Sequence, residues 1–256
     1  MLSNDIKFIR IDQAIKNYNR SNSEMDITGL LNNFLKNFVK IKNKWSEFEI
    51  GSSKCCDDNC INTKRPKGNC IKGNGFGNII NGENIIYINC LDAKRGHDNV
   101  VRVFAENSFE NPRSCFNYSL YYFEVKCIFE KNKYAVGMCI GLKNCNTTKN
   151  NTFYPKFAII ENEKNKIFKL SSFSWEDNDI FGCGLVYPPT NMNEFPYIFF
   201  TQNGKQIGKA TLVKDNFDRP RVGLKCCSVE TNFGNDLETK PFKYDISKHL
   251  ILKEFG

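Results

Sequence analysis

The feature that most constrains the fold of this chain is a series of short apolar segments, separated by turn residues, after residue 100. Residues 123–129 alternate apolar and polar side chains, which is the period of a strand with one buried face. Asn203-Gly204 separates two such segments and favours a type I′ hairpin, in which both central residues need positive φ. Repeated strands without intervening helices predict an all-β fold, a two-sheet antiparallel β-sandwich. The predicted strands are 123–129, 136–142, 180–187, 197–202, 205–210, 221–225 and 229–233.

The part of the chain before the strands has a different pattern. Residues 1–22 are polar, and we expect a flexible tail. Ser23 and Asp26 resemble a helix N-terminus, and apolar residues then recur at helical spacing up to Ile41. We therefore predict an amphipathic helix over 23–43, which either docks a partner or a membrane surface or packs against the sandwich. The sandwich domain follows over 44–250, with a C-terminal tail at 251–256.

Composition and charge exclude several classes of protein. With 41% hydrophobic and 13% aromatic residues in 256, the chain has ample material for a core. The net charge is +8, from 36 basic and 28 acidic residues, and the basic residues are spread along the chain without a nucleic-acid motif. We expect neither a nucleic-acid nor a membrane partner, because no apolar run has the length of a membrane span. Without an N-terminal signal, we expect a cytoplasmic or nucleocytoplasmic protein, or a secreted one if an upstream signal was omitted.

Several segments resemble the SPRY domain family in the family's order. They cover residues 118–246, and the closest versions are the SPRY domain of Ran-binding protein M and the SPRY proteins of plant-parasitic nematodes. The segments are Tyr121-Tyr122-Phe123-Glu124-Val125-Lys126, Gly137-Met138-Cys139-Ile140-Gly141-Leu142, Asn178-Asp179-Ile180-Phe181-Gly182-Cys183-Gly184, Phe199-Phe200-Thr201-Gln202-Asn203-Gly204-Lys205, Val222-Gly223-Leu224, Asn232-Phe233-Gly234 and Pro241-Phe242-Lys243-Tyr244-Asp245-Ile246.

The resemblance implies a bent sandwich that binds a peptide or protein surface, without catalysis, through loops at one edge. By position it assigns partner binding to Phe116, Tyr118, Lys225, Cys226 and Cys227, with a small Cys-Cys pair where peptide-binding members have tryptophan. Packing in the core or at a strand end is the alternative role for these residues. We expect a monomer, and two further hypotheses are a substrate-recruiting adaptor of a ubiquitin ligase and a nematode effector acting in host cells. The candidate binding loops are Ser108–Asn117, Cys145–Pro155, Pro188–Pro196 and Lys214–Pro220.

The sequence offers little catalytic or metal-binding chemistry. Neither His97 nor His249 stands in a nucleophile motif, and we expect His249 to be solvated beside Lys248. We therefore predict a non-enzyme without a cofactor. A cluster of cysteines is predicted to contain ordinary thiols, with a zinc site or disulfides as open alternatives, because only one pair has zinc-knuckle spacing. These cysteines are Cys55, Cys56, Cys60 and Cys70.

Overall fold

The structure, a computed structural model, describes residues 36–49, 73–90, 94, 96–113, 115–144, 147, 149–214 and 218–252. Within these residues the chain forms two β-sheets packed face to face, which confirms the predicted two-sheet sandwich. The described 3₁₀-helices are Pro155–Phe157 and Ile246–Lys248. The described strands are β1 (Lys36–Phe38), β2 (Trp45–Phe48), β3 (Phe76–Ile79), β4 (Asn84–Ile88), β5 (Val101–Ala105), β6 (Tyr118–Phe129), β7 (Gly137–Lys143), β8 (Asn150–Tyr154), β9 (Ile159–Glu161), β10 (Ile167–Lys169), β11 (Ile180–Tyr187), β12 (Tyr197–Gln202), β13 (Lys205–Leu212), β14 (Arg219–Lys225) and β15 (Cys227–Asn232).

One sheet has the order β13-β12-β11-β6-β15-β4-β3, with β1 beside β6, and the other has the order β10-β9-β8-β7-β14-β5-β2. The long strand β6 organises the first sheet, because β11 pairs with its residues 119–126 while β15 pairs with 124–129 on the other side. The remaining end of β6, residues 118–120, pairs in parallel with β1. Asn203 and Gly204 both have positive φ, as the predicted hairpin requires.

Part of the first sheet is covered on both faces. Its inner face meets the second sheet, and there Phe123 is fully buried against Trp45 and Phe233. Its outer face carries a second apolar cluster, in which Tyr122 and Phe199 pack against residues 241–252, which we call the C-terminal strap. The strap explains why eight consecutive residues at the start of β6 are buried, although the alternation predicted one exposed face.

Glu124 fixes the strap to the sheet. Its side chain is 4% exposed and accepts hydrogen bonds from the backbone N–H groups of Lys243 and Tyr244, both at 2.8 Å. The Tyr122 hydroxyl donates to the same carboxylate at 2.9 Å. Burial raises the pKa of Glu124, and the donors oppose that shift because they stabilise the charged form. Glu124 occupies a position that the alternation predicts to be solvated. It is instead a buried side chain that holds the strap on the sheet.

The helix predicted over 23–43 is wrong in its described part. Residues 23–35 lie outside the described residues, whereas Lys36–Phe38 is strand β1 and residues 39–44 are not helical. Phe38 packs edge-to-face on Phe242 of the strap, at 5.8 Å between ring centroids. Pairing with β6 and packing against the strap therefore outweigh the weak helical preference of this segment.

His249 is buried, not solvated as expected, because the strap carries it over the outer face of the first sheet. Lys36 is 8% exposed, and its ammonium group donates to the backbone carbonyls of His249 and Ser247. Ile251 and Leu252 also pack against the outer cluster, so the predicted C-terminal tail begins within the folded domain. Residues 253–256 lie outside the described residues.

Candidate functional site

Several connections between strands meet at one end of the sandwich, which we call the loop end. The Phe109 N–H donates to the Asp218 carbonyl at 2.8 Å, and the Thr190 N–H donates to the Cys115 carbonyl at 2.9 Å. The Tyr121 hydroxyl, from β6, donates to the carbonyl of Glu110 at 2.7 Å. These bonds hold the loops on one another and on the sheet. The described residues of these connections are 106–113, 115–117, 144, 147, 149, 188–196, 213–214 and 218. They overlap the predicted binding loops, except that residues 150–154 of the predicted loop Cys145–Pro155 form β8.

Large apolar side chains are exposed at the loop end, and we call them the loop-end patch. Phe116 is 70% exposed, Phe195 is 51% exposed, and Met192 and Leu212 are also exposed. Of these four, only Phe116 was among the predicted partner-binding residues, although Met192 and Phe195 lie within the predicted binding loop Pro188–Pro196. A role in binding could have been predicted for both, because Met192 and Phe195 are large apolar residues within the otherwise polar connection 188–196.

Tyr118 contacts residues of the connection that carries part of the loop-end patch. Its side chain is buried, and its hydroxyl donates to Glu194 Oε2 at 2.7 Å and lies 3.6 Å from the Met192 sulfur. A pocket of about 210 Å³ opens beside it. The Lys214 ammonium lies 5.5 Å from the centroid of the Phe195 ring, so a positive charge borders the apolar surface. The lining residues of the pocket are Tyr118, Pro188, Glu194, Phe195, Tyr197, Leu212 and Leu252.

The structure does not bring the five predicted partner-binding residues together. Phe116 and Tyr118 lie at the start of β6, whereas Cys227 pairs with Phe129 at its other end. Eleven residues of strand at roughly 3.3 Å each separate these ends by about 36 Å along β6. Lys225 pairs with Gly137 at the same distant end. One compact ligand cannot span both halves of the predicted site.

Cys226 and Cys227 are buried in the core between the sheets, with exposures of 1% and 0%. Cys226 has φ +53° and connects β14 to β15, while the Cys227 thiol donates to the Gly137 carbonyl at 3.4 Å. Burial, with the nearby Asp98 carboxylate, raises the pKa of Cys226 to about 12. Burial also raises the pKa of Cys139 and Cys183. Such thiols are poor nucleophiles, because the thiolate is the reactive form.

A metal site and a membrane-spanning helix are two further features that a chain of this composition could contain. The cysteines Cys55, Cys56, Cys60 and Cys70 lie outside the described residues, so the zinc alternative stays a hypothesis. Among the described residues, no group of three or more His, Cys, Asp and Glu side chains is arranged to hold a metal ion. In the same part of the chain, no helix has the length and apolar character needed to span a bilayer.

Comparisons with known proteins give structural likeness only. No family model and no curated protein matches the chain. A human SPRY domain is similar over 62% of this chain and 96% of its own, with 18% identity and a TM-score of 0.44. The SPRY domain of human HERC1 is similar over 60% and 91%, with 15% identity and a TM-score of 0.42. The carbohydrate recognition domain of Emp46p is similar over 61% and 83%, with 8% identity and a TM-score of 0.37.

Proposed function

We infer that this chain is a SPRY-type, non-catalytic binding module that holds a peptide or protein surface at its loop end. The observation that carries the proposal is the loop-end patch, in which Phe116, Met192 and Phe195 are exposed on two loops that the Thr190–Cys115 hydrogen bond joins. Exposed aromatic side chains on rigid loops bind with little loss of conformational entropy, which is the principle of antibody binding sites. The ordered SPRY-like segments of the sequence support the family assignment.

The proposal is tested by selecting peptides on the wild-type protein from a displayed library and measuring their affinities by calorimetry. The double variant Phe116→Ser/Phe195→Ser is expected to lose at least about tenfold in affinity, as interface aromatic residues do. The matched control Tyr134→Ser/Phe157→Ser removes two exposed aromatic side chains at the opposite end and is expected to bind normally. Lys225→Glu tests the alternative site at the end of the sandwich opposite the loop end. If only this variant loses affinity for the peptides, the site lies at that opposite end and the proposal is contradicted.

The adaptor hypothesis required a separate docking helix over Ile27–Ile41. Because Lys36–Phe38 pairs with β6 and Phe38 packs on the strap, this part of the predicted helix belongs to the sandwich. We therefore propose a binding module only, and the adaptor and effector roles stay hypotheses.

A further inference from the structure

A groove of about 880 Å³ lies where the open edges of the two sheets approach each other. Strand β10 is at the end of one sheet and β13 at the end of the other, and both line the groove. Within the described part of the chain, neither strand has a hydrogen-bonded neighbour on its outer side. The outward N–H and C=O groups of these edges are therefore available to pair with an added strand.

The groove carries charge of one sign. Lys169, Lys205 and Lys209 line it and are exposed, and none of the lining residues is acidic. None of these three ammonium groups is ion-paired among the described residues. A second pocket, beside the strap, has a mixed lining that includes Glu124 and Glu230. The lining of the groove therefore differs from that of this second pocket, in which lysines and carboxylates are mixed.

Between the lysines the groove is apolar. Phe168, Leu170 and Ile207 line it, and each of these side chains is half-buried. Gly208 has φ +61°, and a Cβ there would lie 2.7 Å from Leu170 Cδ2. Because Gly208 has no side chain, β13 approaches the 170–174 segment closely at the back of the groove.

We propose that this groove binds an extended acidic segment of a partner protein, which adds to β13 as a strand. Asp and Glu side chains of the segment pair with the lysines, while an intervening apolar side chain contacts Phe168 and Leu170. Peptide main chain satisfies the open edge of β13, as in other cases of strand addition. A nucleic acid would satisfy the lysines but not the edge, so a protein segment fits the groove better.

The test uses a fluorescein-labelled eight-residue peptide in which Glu and Leu alternate, and a matched peptide with Gln in place of Glu. By fluorescence anisotropy, the wild-type chain is expected to bind the acidic peptide at least tenfold more tightly, with an affinity that falls as salt rises. The triple variant Lys169→Gln/Lys205→Gln/Lys209→Gln is expected to lose this preference. The control triple variant Lys40→Gln/Lys42→Gln/Lys126→Gln has the same net charge, changes no residue that lines the groove, and is expected to keep it. Amide hydrogen exchange of the wild-type protein is expected to slow at residues 205–207 when the peptide binds.

Several outcomes would overturn the proposal. They are equal affinity for the two peptides, equal losses in the two triple variants, slowed exchange elsewhere than β13, or tighter binding of an oligonucleotide of equal charge. If the groove variant aggregates while the acidic peptide binds unchanged, the lysines only protect the edge from self-association. Phe116→Ser/Phe195→Ser leaves the groove intact. Its effect on binding of the library peptides tests the loop end, and the effect of the lysine variant on binding of the acidic peptide tests the groove, so either proposal can fail without the other.

Discussion

The imidazole of His249 lies nearly parallel to the ring of Phe199, with 4.2 Å between ring centroids and 24° between planes. Its Nδ1 is 2.8 Å from the Tyr244 hydroxyl, and its Nε2 is 3.0 Å from the Tyr197 hydroxyl. Burial, and secondarily the positive charge of Lys36, lowers the pKa of His249 to about 4. The strap is thus held to the sheet by a histidine that is neutral at physiological pH.

This pKa shift predicts how stability depends on pH. Between about pH 6.5 and pH 4 the unfolded chain binds a proton at residue 249 that the folded chain does not bind, so the free energy of unfolding falls as pH falls. The loss from pH 7.5 to pH 4.5 is expected to be roughly 2–3 kcal/mol for this one group. Urea unfolding of the wild type and of His249→Gln at both pH values measures it. An equal pH dependence in the two proteins would contradict this prediction.

Removal of the Glu124 anchor is expected to loosen the strap. Glu124→Ala leaves the partly buried N–H groups of Lys243 and Tyr244 without this acceptor and is expected to cost about 3 kcal/mol. Glu124→Gln keeps one acceptor oxygen and is expected to cost less. The control is Lys126→Ala, which breaks only an exposed ion pair with Glu230 and is expected to change stability by less than about 1 kcal/mol. Chemical denaturation, with hydrogen exchange at Tyr244, distinguishes these cases.

The strand phase of β6 is tested by a large-to-small substitution. Phe123 is fully buried between the sheets, and Phe123→Ala is expected to cost roughly 3–5 kcal/mol in the free energy of unfolding. Phe116→Ala serves as the control, since that ring is 70% exposed and its loss is expected to cost little. If both variants unfold at the same denaturant concentration, the assignment of the inner face fails.

Gly182 is expected to tolerate no side chain, for a steric reason. A Cβ at this position would lie 1.9 Å from the Tyr122 hydroxyl and 2.4 Å from the Thr201 hydroxyl, which bond each other at 2.6 Å. Gly182→Ala is therefore expected to destabilise the chain by roughly 1–3 kcal/mol. At Gly137 the nearest atom to an added Cβ is 3.7 Å away, so Gly137→Ala is expected to be far milder. Thermal unfolding of the two variants makes the comparison.

The alternating segments and the Asn203-Gly204 turn were sufficient to predict β6, β7 and β11–β15, because strand period and turn chemistry are local properties. The strap was not predictable in this way. Tyr122, Glu124 and His249 have ordinary neighbours in sequence, and their burial depends on a segment that returns from far along the chain.

The site was predictable only in part, for a geometric reason. Phe116 and Tyr118 were placed at the loop end, but Lys225 was grouped with them although the length of β6 separates the two positions. The lysines of the groove were not recognised, because Lys169 and Lys205 come together only where two sheet edges meet.

The bond from Lys36 to the His249 carbonyl has a consequence for how the protein is made. The two residues are 213 positions apart, so a ribosome synthesises nearly all of the described chain before they can meet. Until then the outer face of the first sheet, including Tyr122 and Phe199, lacks its cover, and β1 lacks the strap on which Phe38 packs. The nascent chain therefore carries exposed aromatic surface until the strap has been synthesised, and such transiently exposed apolar surface favours aggregation or chaperone binding.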